Sequence, residues 1–273
     1  MNVFAVGAAE LGGPRLFVLA GPCVVESEEL CLTVARRLRA ACAARELPFV
    51  FKASLRKANR SSGKSFAGLE PARALGALER VRRELGVPVI TDVHEVADVE
   101  PAAAVADCLQ IPAFLSRQTA LIQAAASSGC AVNIKKGQFM APDDMRQAID
   151  KAVAAGCRRV LVTERGTSFG YHDLVVDFRG LVTMRDFGWP VVFDATHSLQ
   201  RPGGEVTGGE RRFCFPLMRA AVASGIDGLF FETHPDPEHA LSDAATQLPL
   251  DQCEAFLDDA VAVRRAVTER AHA

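Results

Sequence analysis

The chain has 273 residues, 49% hydrophobic and 23% charged, with a formal net charge of −2 at pH 7. That apolar share supports a sizeable core, and the charge balance, with no long basic run, argues against a nucleic-acid surface. No apolar stretch is long enough for a bilayer and no charged leader precedes an apolar core at the start; the cysteines include no Cys-x-x-Cys pair, which predicts a soluble cytoplasmic protein with thiols rather than disulfides.

Residues 1–15 read as an N-terminal extension that caps a barrel floor. Short apolar, β-branched runs then recur at 16–22 (LFVLAGP), 49–54 (FVFKAS), 87–94 (VPVITDVH), 108–114 (CLQIPAF), 131–136 (AVNIKK), 159–166 (RVLVTERG), 190–197 (PVVFDATH) and 228–234 (GLFFETH). Runs apolar on both faces suit buried parallel strands. Between them, 27–46 has helical spacing with Ser27 as its N-cap, and 69–85 has it with Gly86 as its stop. RQTALIQAAASSG, PDDMRQAIDKAVAAG, GERRFCFPLMRAAVASG and the tail from Asp251 repeat the pattern, whereas DLVVDFRGLVTMRDFG between strands six and seven is ambiguous at its start. Eight strands alternating with helices predict a single-domain (β/α)8 TIM barrel over residues 1–273. The rival, an open doubly wound sheet, lacks a Gly-rich fingerprint after the first strand.

Barrel chemistry gathers at the C-terminal strand ends. Here those ends carry Cys23, Lys52, Asp92–His94–Glu95, Gln110, Lys135–Lys136, Glu164–Arg165, Asp194–His197 and Glu232–His234. One set is cationic (Lys52, Lys57, Arg60, Lys135, Lys136, Arg165) and suits a phosphorylated anion. A second set, Cys23, His197, Glu232 and Asp243, has the donor types of a divalent transition metal. Each also has an ordinary reading: a packed thiol, a hydrogen-bonded structural imidazole, a carboxylate, a loop cap. Closure of a barrel would make strands one, seven and eight neighbours and bring the set together. HPDPEH (234–239), broken by two prolines, reads as a turn rather than a histidine pair on one helix face.

In order along the chain, GPCVVES, FKASLRKANRSS, VITDVHE, LQIPAFLSRQT, NIKKGQF, ERGTSFGY, DATHSLQRPGG and ETHPDPEHALSD resemble the 3-deoxy-D-manno-octulosonate 8-phosphate synthases, from about Leu16 to Leu250. The resemblance implies a transferase, usually homotetrameric, that condenses phosphoenolpyruvate with D-arabinose 5-phosphate, a step toward lipopolysaccharide sugars. It implies phosphoenolpyruvate on Lys52, Lys57, Gln110, Ala113, Lys135 and Arg165. The sugar phosphate would lie near Arg60 and Ser61, with Arg117 reaching in from a neighbouring subunit and Asn59 and Asp92 on the sugar. Asp92, Lys57 and His197 would be catalytic. Cysteine at position 23, where another branch has asparagine, implies a metal-dependent enzyme with Cys23, His197, Glu232 and Asp243 holding an ion of the Zn, Fe, Mn or Cd class. KANRSS at 57–62 stands where the related heptulosonate 7-phosphate synthases typically read Lys-Pro-Arg-Thr, favouring the pentose over erythrose 4-phosphate. A non-catalytic phosphometabolite-binding barrel is the third reading, and it needs no thiol–imidazole–carboxylate set.

Overall fold

The computed structural model describes residues 1–57, 66, 68–203 and 208–271. Its barrel strands are Phe17–Gly21, Phe49–Lys52, Val89–Asp92, Cys108–Ile111, Ala131–Lys135, Val160–Glu164, Val191–Asp194 and Gly228–His234, each inside a run expected from the sequence. All pair in parallel with their sequence neighbours, and the eighth pairs with both the seventh and the first, closing the cylinder.

Side chains alternate across each strand, so one parity fills the barrel and the other meets the helices. The inner core holds Phe17, Leu19, Val50, Ile90, Cys108, Ala131, Leu161, Val192 and Phe230. Val6, Ala9 and Leu11 from the antiparallel hairpin Phe4–Val6/Ala9–Leu11 join that same cluster. The N-terminal segment thus plugs the barrel with apolar side chains. Neighbouring residues of opposite parity (Val18, Phe51, Val89, Leu109, Val132, Val160, Phe193, Leu229) belong to the outer core beneath the helices. Burial on both faces accounts for strands that are almost continuously apolar.

Helix Glu28–Ala43 begins as its sequence predicts, with Leu30 N donating to Ser27 Oγ at 3.1 Å. Pro71–Leu85 ends on Gly86 in the left-handed region at φ 63°, a conformation glycine adopts without Cβ strain. The ambiguous stretch divides: Asp173–Val175 pairs with Thr167–Phe169 in a hairpin, and Phe178–Arg185 is helical. Helix Val96–Ala103 is missing from the sequence reading because Pro101 interrupts its pattern. It forms because Asp98 Oδ2 accepts from the backbone N–H of His94 and Glu95 at 2.9 and 3.0 Å, closing its N-terminal turn. Among the described residues, no helix is long and apolar enough to cross a membrane.

Gly21 is where strands one and two approach too closely for a side chain. A Cβ there would lie 2.0 Å from the Lys52 carbonyl oxygen. Gly21→Ala should therefore destabilise the barrel by about 1–3 kcal/mol, seen as a lower urea midpoint with an unchanged slope.

Candidate active site

The inner parity continues upward from the apolar plug. Two residues beyond Val50 comes Lys52; beyond Ile90, Asp92; beyond Cys108, Gln110; beyond Val192, Asp194; beyond Phe230, Glu232. Cys23, Lys135 and Arg165 lie four residues beyond Leu19, Ala131 and Leu161. At the C-terminal mouth lies a cavity of about 700 Å³ lined by Lys52, Lys57, Asp92, Gln110, Ala113, Lys135, Arg165 and His197 among others.

A polar layer crosses the barrel beneath this mouth. Thr163 Oγ1 donates to Asn133 Oδ1 at 2.7 Å, Asn133 Nδ2 to Gln110 Oε1 at 2.9 Å, and Gln110 Nε2 to Asp92 Oδ1. From the other side Ser54 Oγ donates to Asp92 Oδ2 at 2.7 Å. Every donor points toward Asp92. Burial opposes its charge, but Lys52, His94 and Lys135 hold the carboxyl well below the usual carboxylate range. Asp92 is an ionised acceptor facing the cavity.

The lysines stand over one aromatic ring. Lys135 Nζ lies 3.9 Å from the Phe230 ring centroid and Lys52 Nζ lies 5.4 Å from it. Lys52, 1% exposed, donates to Glu232 Oε1 at 2.6 Å and to the Cys23 carbonyl at 3.0 Å. Burial disfavours its charge, yet Glu232 and Asp92 raise its pKa. Lys135 donates to Asp194 Oδ2 at 2.6 Å; burial, abetted by Lys52, lowers its pKa despite that partner. Arg165 Nη2 donates to Gln200 Oε1 at 2.7 Å, while Nη1 is buried with no partner among the described residues. An unpaired buried guanidinium N–H beside a cavity is a donor to an anion.

Closure of the barrel brings Cys23, Glu232 and Asp243 together, with one donor atom from each within 4.8 Å of the others. Strand pairing extends past Gly21: Ser54 N donates to the Cys23 carbonyl, and Cys23 N donates to Gln247 Oε1, each at 3.3 Å. Cys23 Sγ contacts Asp243 Oδ2 at 3.2 Å, so the thiol faces the carboxylates rather than apolar neighbours. Burial pushes its pKa up, and Asp243 and Glu232 push it further. His197 stands beside this trio, its Nε2 3.6 Å from Glu232 Oε1 and 3.7 Å from Asp243 Oδ2. Asp243 has a φ of 49°, an unfavourable conformation for a residue with a Cβ, and its carboxylate receives Lys57 Nζ at 2.8 Å. Glu232 Oε2 is buried with no hydrogen-bond partner among the described residues. The cluster of thiol and carboxylates, with imidazole at its edge, is a possible metal site.

Other expected residues fall elsewhere. Lys136 and Glu164 do not reach the mouth: they have the outward parity. Lys136, 1% exposed, donates to Thr167 Oγ1 at 2.9 Å and lies 3.6 Å from Glu164 Oε2, tying two loops together behind the cavity. Arg117 is exposed and does not line this chain's cavity. Asn59, Arg60 and Ser61 lie outside the described residues. Three contributors had no assigned role in the sequence reading: Ser54, Gln247 and Asp194. Ser54 and Asp194 have the inward parity and were detectable from it; Gln247 gives no local signal.

The comparisons agree with this geometry. The DAHP synthetase I family matches residues 7–269. The chain is 52% identical over 256 residues to a protein of Trichlorobacter lovleyi, covering 93% of this chain and 94% of that one. It is 54% identical over 255 residues to one of Dechloromonas aromatica, with 92% of each covered. With one of Acidithiobacillus ferrooxidans the figures are 56% over 243 residues, covering 88% and 86%. All three are named 2-dehydro-3-deoxyphosphooctonate aldolase. Matched by one family almost end to end, and by such similar relatives along most of its length, the chain belongs to the DAHP synthetase I family.

Proposed function

We propose that this chain is a transferase that condenses phosphoenolpyruvate with D-arabinose 5-phosphate and water, giving 3-deoxy-D-manno-octulosonate 8-phosphate and inorganic phosphate. The observation that carries this reading is one cavity where Lys52, Lys57, Lys135 and Arg165 meet a thiol–carboxylate cluster, in a chain whose relatives bear the octonate aldolase name. That shared name favours arabinose 5-phosphate over erythrose 4-phosphate, and the clustered thiol and carboxylates count against a barrel that only binds.

Enolpyruvate C3 attacks the sugar aldehyde carbon, forming the C–C bond. The enol C=C opens as that bond forms, water adds at the cationic C2 while its released proton ends on the former aldehyde oxygen, and the resulting hemiketal phosphate becomes the C2 ketone as C–O cleavage releases phosphate together with the hydroxyl proton. Lys52, Lys135 and Arg165 bind the phosphoenolpyruvate anion, with Lys57, Gln110 and Ala113 completing its walls. Holding two reactants in near-attack geometry is worth up to about 7–11 kcal/mol of the barrier. The Phe230 face beneath the lysines excludes water, which strengthens each charge interaction above it. Ionised Asp92 accepts from a sugar hydroxyl and orients the aldehyde. Asn59, Arg60 and Ser61 would hold the sugar phosphate, as the resemblance implies.

The donor set fits a divalent ion held by Cys23, His197, Glu232 and Asp243: Glu232 Oε2 has no hydrogen-bond partner among the described residues and leaves an acceptor for a cation, and a thiol that loses its proton on binding is a strong ligand. Such an ion supplies Lewis-acid charge at the reacting oxygens. His197, with Nε2 committed to that site, is then a ligand rather than a general base.

The proposal extends to a single domain over residues 1–273 acting in the cytoplasm as a homotetramer. Exposed Phe114, Phe139 and Arg117 flank the mouth on neighbouring loops, consistent with a second copy covering them and lending Arg117 to the site.

Phosphate release with both substrates should require arabinose 5-phosphate, with erythrose 4-phosphate a poor replacement; the reverse preference would transfer the chain to the heptulosonate reaction. A strong chelator should abolish turnover and a divalent metal restore it, so full activity of metal-stripped protein would refute metal dependence. Arg165→Ala should lower kcat/KM for phosphoenolpyruvate by at least about tenfold, with the melting temperature little changed.

A further inference from the structure

Past the eighth strand the chain loops out and returns to that strand's edge, where Leu248 and Pro249 pair with Thr233 and His234. Thr233 Oγ1 donates to the Leu248 carbonyl at 2.7 Å. Gln247, wholly buried, stands where the loop rejoins, and it bonds on both sides of Asp243. The Asp243 carbonyl accepts from the backbone N–H groups of Thr246 and Gln247 at 3.0 and 3.2 Å, and Gln247 Nε2 donates to the Ser242 carbonyl at 2.8 Å. Gln247 Oε1 accepts from Cys23 N at 3.3 Å, while the Cys23 carbonyl accepts from Ser54 N and Lys52 Nζ. Both partners of the side-chain amide are backbone groups, one only a donor and the other only an acceptor, so the amide has a single orientation. Neither bond depends on a protonation state.

One buried side chain thus spans the two segments that carry Cys23 and Asp243, whose side chains meet at 3.2 Å. Asp243 has a left-handed φ of 49°, a conformation that persists only where the surroundings over-determine it. A second tie, from Leu241 N to Glu26 Oε1 at 3.0 Å, lies on the exposed side of the loop, where water can replace a lost partner. The buried amide of Gln247 has no such substitute. We propose that Gln247 is a positioning residue that holds Cys23 and Asp243 in register for a divalent cation before the ion arrives. The proposal rests on the metal-dependent reading above. Loss of an outer partner of a ligating residue typically weakens metal binding by about 10–100-fold. Gln247→Met keeps the length of the side chain and neither of its hydrogen bonds.

The test uses the full chain, stripped of metal and titrated with cobalt(II) alone, with the thiolate charge-transfer band as the signal and Cys23→Ser identifying the part due to Cys23. Gln247→Met should bind cobalt about 10–100-fold more weakly than wild type, with a weaker band per bound ion. A merely structural role would lower the melting temperature and leave affinity and band as in wild type, which overturns the proposal. Amide hydrogen exchange of the metal-stripped wild type is the second measurement. The N–H groups of Cys23, Thr246 and Gln247 should be protected already, at rates that cobalt leaves unchanged. Fast exchange that cobalt suppresses would make the ion, and not Gln247, the group that orders these segments; that result overturns the proposal even where the variant fails to fold. A wild-type chain with no affinity for cobalt overturns the metal-dependent reading and this proposal together. Normal cobalt binding without turnover, in contrast, fails the functional reading alone.

Discussion

Strand alternation in a closed barrel is the constraint from which the site follows. Once the apolar plug fixes which parity faces inward, each strand can put only every second residue into the mouth. Phe17 and Leu19 on the first strand set Cys23 inward, Val50 sets Lys52, and Phe230 sets Glu232. A slip of one residue on any strand would send its functional group into the helix layer. The closing pairs, eighth strand with first and with seventh, then decide which of the inward groups become neighbours. Without them Cys23 and Glu232, 209 positions apart in the numbering, would have no reason to meet.

Gathering these groups creates an electrostatic problem whose solution is visible in the partners. Lys52 pairs with Glu232, Lys57 with Asp243 and Lys135 with Asp194, while Arg165 and Asp92 are hydrogen-bonded to the neutral side chains of Gln200, Gln110 and Ser54. A buried charge is tolerated when it is paired and hydrogen-bonded, which is why the lysines persist here at all. It also means that they are not spare charge waiting for phosphate. Among the described residues, Glu232 Oε2 and Arg165 Nη1 have no hydrogen-bond partner and mark where the pairing is incomplete.

Much of this was legible in the sequence, because buried parallel strands leave a plain mark: short apolar runs ending in polar residues. The eight strands, the Ser27 cap, the Gly86 stop and the strand-end residues Lys52, Asp92, Gln110, Lys135, Arg165 and His197 of the cavity follow from local pattern, whereas Ala113 was expected only from the resemblance. What escaped has physical reasons. Pro101 masks the short helix after the third strand. Lys136 looked like a second site cation because Lys135 and Lys136 are adjacent, although alternation forbids both from facing inward; the structure spends Lys136 on two loop carbonyls and Thr167. Gln247 acts through a long-range bond to the Cys23 backbone, which no spacing rule anticipates. Asp194 was visible as a strand end, but its role depends on a turn that brings His197 back over it.

The floor of the barrel shows how such placement is secured. Asp107, just before the fourth strand, accepts from Val89 N at 2.9 Å and pairs with Arg82 at 3.1 Å. Asp227, just before the eighth, accepts from Val191 N at 3.0 Å and pairs with Arg185 at 3.1 Å. Each aspartate thus pins the start of the preceding strand, and that strand follows a matching Gly-x-Pro-Val: GVPVITD at 86–92 and GWPVVFD at 188–194. Strands three and seven, on opposite sides of an eight-stranded cylinder, are held at their bases by the same device and deliver Asp92 and Asp194 at the same number of residues above it. Only the surroundings then differ. Asp92 receives neutral donors from Gln110 and Ser54 and keeps a face toward the cavity, which suits a group that meets substrate. Asp194 is wholly buried and receives Lys135 together with the backbone N–H groups of Thr196 and His197, which suits a group that holds others in place. One local frame, used twice, gives two carboxylates with different tasks because the neighbouring strand ends supply different donors.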